Sequence, residues 1–235
     1  WKSFERGQEN CYLLTNGLGG FSSATMIGSV SRNDHALLMA CVHAPNHRYN
    51  MVHRLSEQVT LEGDSHMISS QEFADGTRED GWRYLEEFSY EDTPVWRFLV
   101  EGVQVRKEIS VEQGTNTAAV CYEITNRSSR MCDFTVTPFF QFTPKGSEPK
   151  PSQVFEREEG CVRSNGLSLY FWTDAEVKAI PEISEVYFYS YDDCDGRRST
   201  GLAKANHRIC KAVNPGEKCR LELVYSMETA EEKAA

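Results

Sequence analysis

Leu13–Ser23 reads LLTNGLGGFSS and Ser31–Pro45 reads SRNDHALLMACVHAP, and the fold turns on how these two stretches are read. Gly17, Gly19 and Gly20 crowd together just after an apolar pair. Glycine tolerates positive φ and close backbone approach, so the run marks a sharp turn. A phosphate cradle is the competing reading, but the spacing fits neither G-x-G-x-x-G nor G-x-x-x-x-G-K-[ST]. The next run, FSSATMIGSVS, alternates like a strand, so the helix N-terminus that would hold a phosphate is missing. The second stretch places Arg32 and His35 directly before Ala36–Val42, which is apolar on both faces. Such a run is expected of a strand covered on both sides.

The same period of two recurs outward from this point. Val103, Val105, Ile109 and Val111 share one face of a segment whose other face carries Gln104, Arg106, Glu108 and Ser110. Val120, Tyr122 and Ile124 repeat it after the Gly114–Asn116 turn, and Cys132, Phe134 and Val136 after NRSSR. Leu167, Leu169 and Phe171 follow Asn165–Gly166, and Cys219, Leu221, Leu223 and Tyr225 follow Pro215–Gly216. Helical periodicity is nearly absent. The exception is ETAEEKAA, Glu228–Ala235, rich in helix formers and free of glycine and proline. The proline-rich TPKGSEPKPSQ, Thr143–Gln153, has strand patterns on both sides and reads as a long connection within one two-sheet architecture. The expectation is an all-β, antiparallel two-sheet domain over residues 1–227, with a short helical tail over 228–235.

A chain of 235 residues with 40% hydrophobic content can bury a sizeable core as one large β domain. Its formal charge of −10 argues against nucleic acid or an anionic membrane, both of which call for a basic face. No apolar run approaches the ~20 residues that span a bilayer. The eight cysteines are scattered without a CxxC, which reads as reduced thiols in a cytoplasmic protein.

Several residues invite a chemical role. Arg32 and His35 precede a buried strand and either meet a ligand or pair structurally with Asp34 or Glu57. Asn16 either caps its own turn or points at ligand, and turn chemistry is the better account. Trp82, after the polar DGTREDG loop, is the tryptophan expected to be most exposed and the first choice as a sugar-stacking platform. Trp96 reads as core and Trp172 as a weaker platform. Asp195 and Arg197 lie in YDDCDGRRSTG, Tyr191–Gly201, read as a long hairpin loop. His43, His47 and His53 have a metal-like look, but Pro45 speaks against the helix that would align the first two. No metal or cofactor is expected. Acidic residues abound, yet none stands apart from an ordinary turn carboxylate, so no catalytic residue is assigned.

Taken in order, LLTNGLGGFSSAT, SRNDHALLMACVHAPNHR, Glu57–Val59, GWRYLEEFSYEDTPVWRF, VRKEISVEQGTNTAAVCYEI and FTVTPFFQF resemble the opening of the amylo-α-1,6-glucosidase family. These are the glycogen debranching enzymes of the bacterial and archaeal type. The resemblance implies a large β-supersandwich, galactose-mutarotase-like and similar to the N-terminal domain of glucoamylases. It further implies that catalysis belongs to a following (α/α)6 toroid, with an α-glucan as substrate and no cofactor. Asn16, Arg32, His35, Trp82, Asp195 and Arg197 are the residues expected to line the substrate or interdomain face. The chain departs from the family where S-G-T becomes Ser23–Thr25 (SAT) and T-R-R-Y-H-G-L-L becomes Ser31–Leu38 (SRNDHALL). Arg32 and His35 match, while a tyrosine's sugar contact does not transfer to Asp34. A free-standing carbohydrate-binding module and a mutarotase-like sugar epimerase are the alternatives that the same fold would serve.

Overall fold

The computed structural model describes residues 3–43 and 46–229. Its first sheet runs, in spatial order, β1 (Cys11–Thr15), β2 (Phe21–Thr25), β3 (Ala36–His43), β4 (His47–Leu61), β12 (Cys132–Pro144), β17 (Thr200–Val213) and β16 (Glu176–Phe188), with β5 (Asp64–Met67) also paired to β4. The second runs β13 (Glu156–Glu158), β14 (Cys161–Ser164), β15 (Leu167–Thr173), β18 (Lys218–Ser226), β11 (Thr117–Asn126), β10 (Val103–Val111), β9 (Pro94–Val100) and β8 (Leu85–Tyr90). The neighbouring strands pair antiparallel throughout, as do β6 (Ser70–Glu72) and β7 (Arg78–Asp80) in a small separate hairpin.

The two sheets face each other across the core. Val59, Phe134, Val136 and Ile209 of the first meet Val105, Val120, Ile124 and Leu223 of the second. Each such side chain contributes roughly 1.5–3 kcal/mol when fully buried. β3 is buried along its first six residues, as its two-sided apolar pattern requires. Thr143–Gln153 carries the chain from β12 in the first sheet to β13 in the second, an inter-sheet connection. The NRSSR turn makes the return crossing from β11 to β12, and Asn126 Nδ2 braces it by donating to Val213 O at 3.0 Å and Arg130 O at 2.8 Å.

The glycine turn locks the sheets together at one end. Asn16 Oδ1 accepts from Leu18 N at 3.0 Å and Gly20 N at 2.9 Å, while Gly17 and Gly19 take φ of 78° and 100°. Asn16 Nδ2 donates across to Thr115 O at 2.9 Å. Neighbouring Asn116 pairs its side-chain amide with both backbone groups of Cys41, at 2.8 and 3.0 Å. Its own N–H donates to the Glu228 carboxylate at 2.9 Å.

Four expectations need correction. Helix α1 (Phe4–Gln8), capped by Ser3 Oγ accepting from Arg6 N, has too few residues for its period to register in the sequence. The Tyr191–Gly201 loop begins inside a second short helix, α2 (Ser190–Cys194), so it is not a plain hairpin loop. Trp82 is half-buried in a 3₁₀ turn (Gly81–Tyr84), packed against the core, whereas Trp172 is the exposed one at 55%. Of the tail expected over 228–235, Glu228 and Thr229 are not helical and the remainder lies outside the described residues.

Candidate functional site

Three connections of the first sheet converge on a polar cleft of about 200 Å³. The β2–β3 loop supplies Asn33 and Asp34, the turn just after β12 supplies Lys145 and Gly146, and α2 with the turn after it supplies Asp192, Arg197 and Arg198. The organising group is the buried Asp192 carboxylate, which accepts from Asn33 N at 2.6 Å and from Arg32 Nη1 at 3.4 Å. Arg32 reaches on to Asp195 at 2.6 Å. That contact holds Asp195 below the usual carboxylate range and pushes Arg32 higher still. Around the rim, Lys145 pairs with Asp34 at 2.6 Å, and Arg198 donates to Asn33 Oδ1 at 3.2 Å and pairs with Glu148 at 3.4 Å.

His35 lies under the same loop and is buried. Burial, reinforced by Arg32, pushes it down to about 4, so it is neutral at pH 7. Its Nδ1 accepts from Ser31 N at 3.2 Å and shapes the loop from below. Behind it a relay runs inward. Asn50 Nδ2 donates to His35 O at 3.2 Å and approaches His53 Nδ1 at 2.9 Å, and His53 Nε2 meets Tyr189 Oη at 2.9 Å. Burial lowers His53 to about 3.

Of the residues singled out in the sequence, Arg197 lines this cleft. Arg32 and Asp195 stand beside it, tied to the lining Asp192 through the Arg32 guanidinium, and His35 lies under the same loop. Arg32 pairs with Asp192 and Asp195, and neither Asp34 nor Glu57 is its partner. Asn16 is occupied by turn and inter-sheet bonds, and Trp82 Nε1 donates to Asp80 Oδ1 at 2.9 Å; neither lines the cleft. Sequence reasoning missed Asn33, Lys145, Asp192 and Arg198. Lys145 sits in the proline-rich connection, and the only signal for it was that a connection with two positive charges among its prolines must end near something. His43 and His47 stand opposite each other across the β3–β4 turn, rings 5.9 Å apart. Among the described residues no group of three or more His, Cys, Asp or Glu is placed to hold a metal. No helix among them is long and apolar enough to cross a membrane. All eight cysteines are free thiols, Cys11 and Cys194 exposed.

Chemically the cleft presents forked donors and carboxylate acceptors at short range. A general acid needs a carboxyl held above its ordinary range, and Asp195 is held below it. Glu185, which burial does raise, lies elsewhere, held by Arg54 at 2.9 Å and Tyr187 at 2.6 Å. The arrangement is suited to hydrogen-bonding a polar ligand.

An antiparallel two-sheet β domain with a polar loop cleft is the class that these features define. The chain belongs to the family described as glycogen debranching enzyme N terminal, which matches residues 10–219. No curated protein sequence matches it. Among solved structures it is similar to a putative kojibiose phosphorylase from the human microbiome, at 6% identity and TM-score 0.44, covering 91% of this chain and 29% of that one. It is similar to a putative aldose 1-epimerase from Escherichia coli K12, at 12% and 0.43, covering 92% and 98%. It is also similar to a bacterial glucoamylase complexed with acarbose, at 10% and 0.40, covering 95% and 31%. The chain thus spans under a third of the phosphorylase and glucoamylase chains.

Proposed function

We propose that this domain works as the N-terminal part of a cytoplasmic glycogen-debranching amylo-α-1,6-glucosidase. It packs on an (α/α)6 catalytic domain and forms one wall of the mouth through which an α-glucan enters. Family membership over residues 10–219 supports the glycogen setting. The observation that carries the site is the polar cleft lined by Asp34, Lys145, Asp192, Arg197 and Arg198, with the Arg32–Asp195 pair beside it. Pyranose hydroxyls are both donors and acceptors, and an Arg197 guanidinium left without a partner among the described residues, beside a rigid frame of ion pairs, can meet them. The eight free cysteines accord with the reducing compartment proposed.

The test uses the protein joined to its catalytic domain, with a branched limit dextrin as substrate. Arg197→Ala should raise KM several-fold with little change in kcat, because the residue binds and does not take part in bond cleavage. The domain alone should release no glucose. Turnover by the domain alone, abolished by one of its own carboxylate substitutions, would overturn the reading, as would unchanged KM in Arg197→Ala.

A further inference from the structure

The cleft draws on the loops of the first sheet and leaves the outward face of the second without a role. In β15, Leu169 and Phe171 are buried in the core, so alternation puts Tyr170 and Trp172 on the outer face. Trp96 is 1% exposed and Trp82 half-buried, so among the described residues Trp172 is the tryptophan that turns its ring to solvent. Strand register extends this face across the sheet. Trp172 stands opposite Val224, Val224 opposite Ala119, and Ala119 opposite Ser110. In the adjacent row Tyr170 stands opposite Ser226, and Ser226 opposite Thr117; these two are buried, bonded to each other at 2.8 Å, with Ser226 also donating to Glu228. Along the Trp172 row the residues are small, and beside them lies a trough. Two hollows of about 310 and 300 Å³ share Ser110, Ala119 and Val224 as lining. The far bank is charged, with Arg220–Glu222 and Arg106–Glu108 each paired at 2.8 Å.

We propose that this face is a second saccharide-binding surface, in which the Tyr170–Trp172 edge and the trough beside it take a chain of neutral pyranoses. Identifying that chain as an α-glucan rests on the function proposed above. A lone exposed apolar side chain is ordinary. Here three features coincide: an exposed indole, a second aromatic two residues away on the same face, and a trough banked by hydrogen-bonding charges. A pyranose has an apolar C–H face and an equatorial rim of hydroxyls, so it matches the rings on one side and the Arg–Glu bank on the other. Residues i and i+2 of a strand are about 6.6–6.8 Å apart, which lets the two rings meet successive sugar units. A protein partner would call for an apolar centre depleted of charge, whereas this face offers one aromatic strip hemmed by ion pairs.

The experiment is affinity electrophoresis of the chain through gels containing glycogen, with maltoheptaose titrations followed by tryptophan fluorescence. Trp172→Ala should weaken binding about tenfold, as loss of a central aromatic anchor does. Trp172→Phe should lose less and Tyr170→Ala an intermediate amount, and unfolding midpoints should stay within error because the ring is exposed. Unchanged retardation in Trp172→Ala would overturn the inference, as would absence of retardation in the unaltered chain. Self-association that disappears in Trp172→Ala, without glucan binding, would overturn it in favour of a protein contact. Arg197→Ala supplies the second arm. Loss of glucan affinity there but not in Trp172→Ala removes the sheet surface and keeps the cleft. Loss in Trp172→Ala alone, with normal KM for Arg197→Ala in the debranching assay, keeps the sheet surface and removes the cleft.

Discussion

Replacing Asp192 by alanine tests whether the cleft is a built frame. The carboxylate is 3% exposed and accepts the Asn33 N–H at 2.6 Å and a contact from Arg32 at 3.4 Å. Removing it strands the buried Asn33 N–H, a penalty of roughly 1–3 kcal/mol. Arg32 keeps its exposed pairing with Asp195, so the guanidinium adds about 1 kcal/mol at most. The expected loss is about 1–4 kcal/mol, or about 2–16 °C in Tm for a domain of this size. Asp192→Asn retains an acceptor for Asn33 and loses only the charge, so it should cost about 1 kcal/mol. Asp193 is exposed and lends only its backbone to the local bonds, which makes Asp193→Ala the control. Urea unfolding of the three variants measures the series. Indistinguishable midpoints for Asp192→Ala and Asp193→Ala would refute the view that the β2–β3 loop and α2 are held in place by this carboxylate.

In the core, Lys107 Nζ meets Glu57 Oε1 at 2.5 Å, with Tyr122 Oη donating to the same oxygen at 2.8 Å. Lys107→Met should therefore cost about 3–5 kcal/mol by leaving a buried carboxylate unpaired, and adding Glu57→Leu should recover most of it. A denaturant double-mutant cycle with a single-variant loss below about 1 kcal/mol would contradict this. Stability should also fall in mild acid. Burial lowers His35 to about 4, and His53 and His207 to about 3 each, against 6.5 when unfolded. Below pH 6.5 the unfolded chain binds protons that the folded one refuses. The stabilisation is thus complete above pH 6.5 and drains away as pH falls toward the folded values. Between pH 7.5 and 5 this amounts to roughly 2 kcal/mol per histidine, on the order of 6 kcal/mol in all. Urea midpoints that stay flat over that range would count against neutral burial, and His207→Phe should remove about a third of the slope.

The sheets were legible in the sequence because one face of most strands is packed and the other is not. β10 and β11 alternate buried and half-exposed along their length, and that is the same period in the amino acids. β3 was legible for the opposite reason, being covered on both sides. Trp96 was legible as core, but the exposure of Trp82 and Trp172 was not. Trp82 follows a polar loop, yet its 3₁₀ turn tucks it against the core. Trp172 lies in an apolar-looking LSLYFWT run that alternation splits between core and solvent. Counting parity from the buried Leu169 would have placed it outside. The cleft was half legible. Arg32, Asp195 and Arg197 sit in loops flagged by charge and glycine, but Asn33 and Asp192 are 159 positions apart. No local pattern records such a pairing, which exists only after β16 and β3 have been laid into one sheet.

That division also separates the roles of the three arginines at and beside the cleft. Arg32 is committed, with Asp192 and Asp195 on its guanidinium and the Tyr191 ring 5.4 Å beneath. A ligand could recruit it only by breaking bonds that hold the loop. Arg198 and Lys145 are engaged in the same way, with Glu148 and Asp34. Arg197 lines the cleft, and its side chain makes no hydrogen bond or ion pair among the described residues, while Asp195 lies within its electrostatic reach. Its forked donors are free to meet a hydroxyl pair without first giving up a protein partner. A site in which most cations are spent on rigidity and one is left open binds through the open one. Loss of Arg197 should therefore appear in ligand affinity, and loss of Arg32 chiefly in the stability of the loop that presents it.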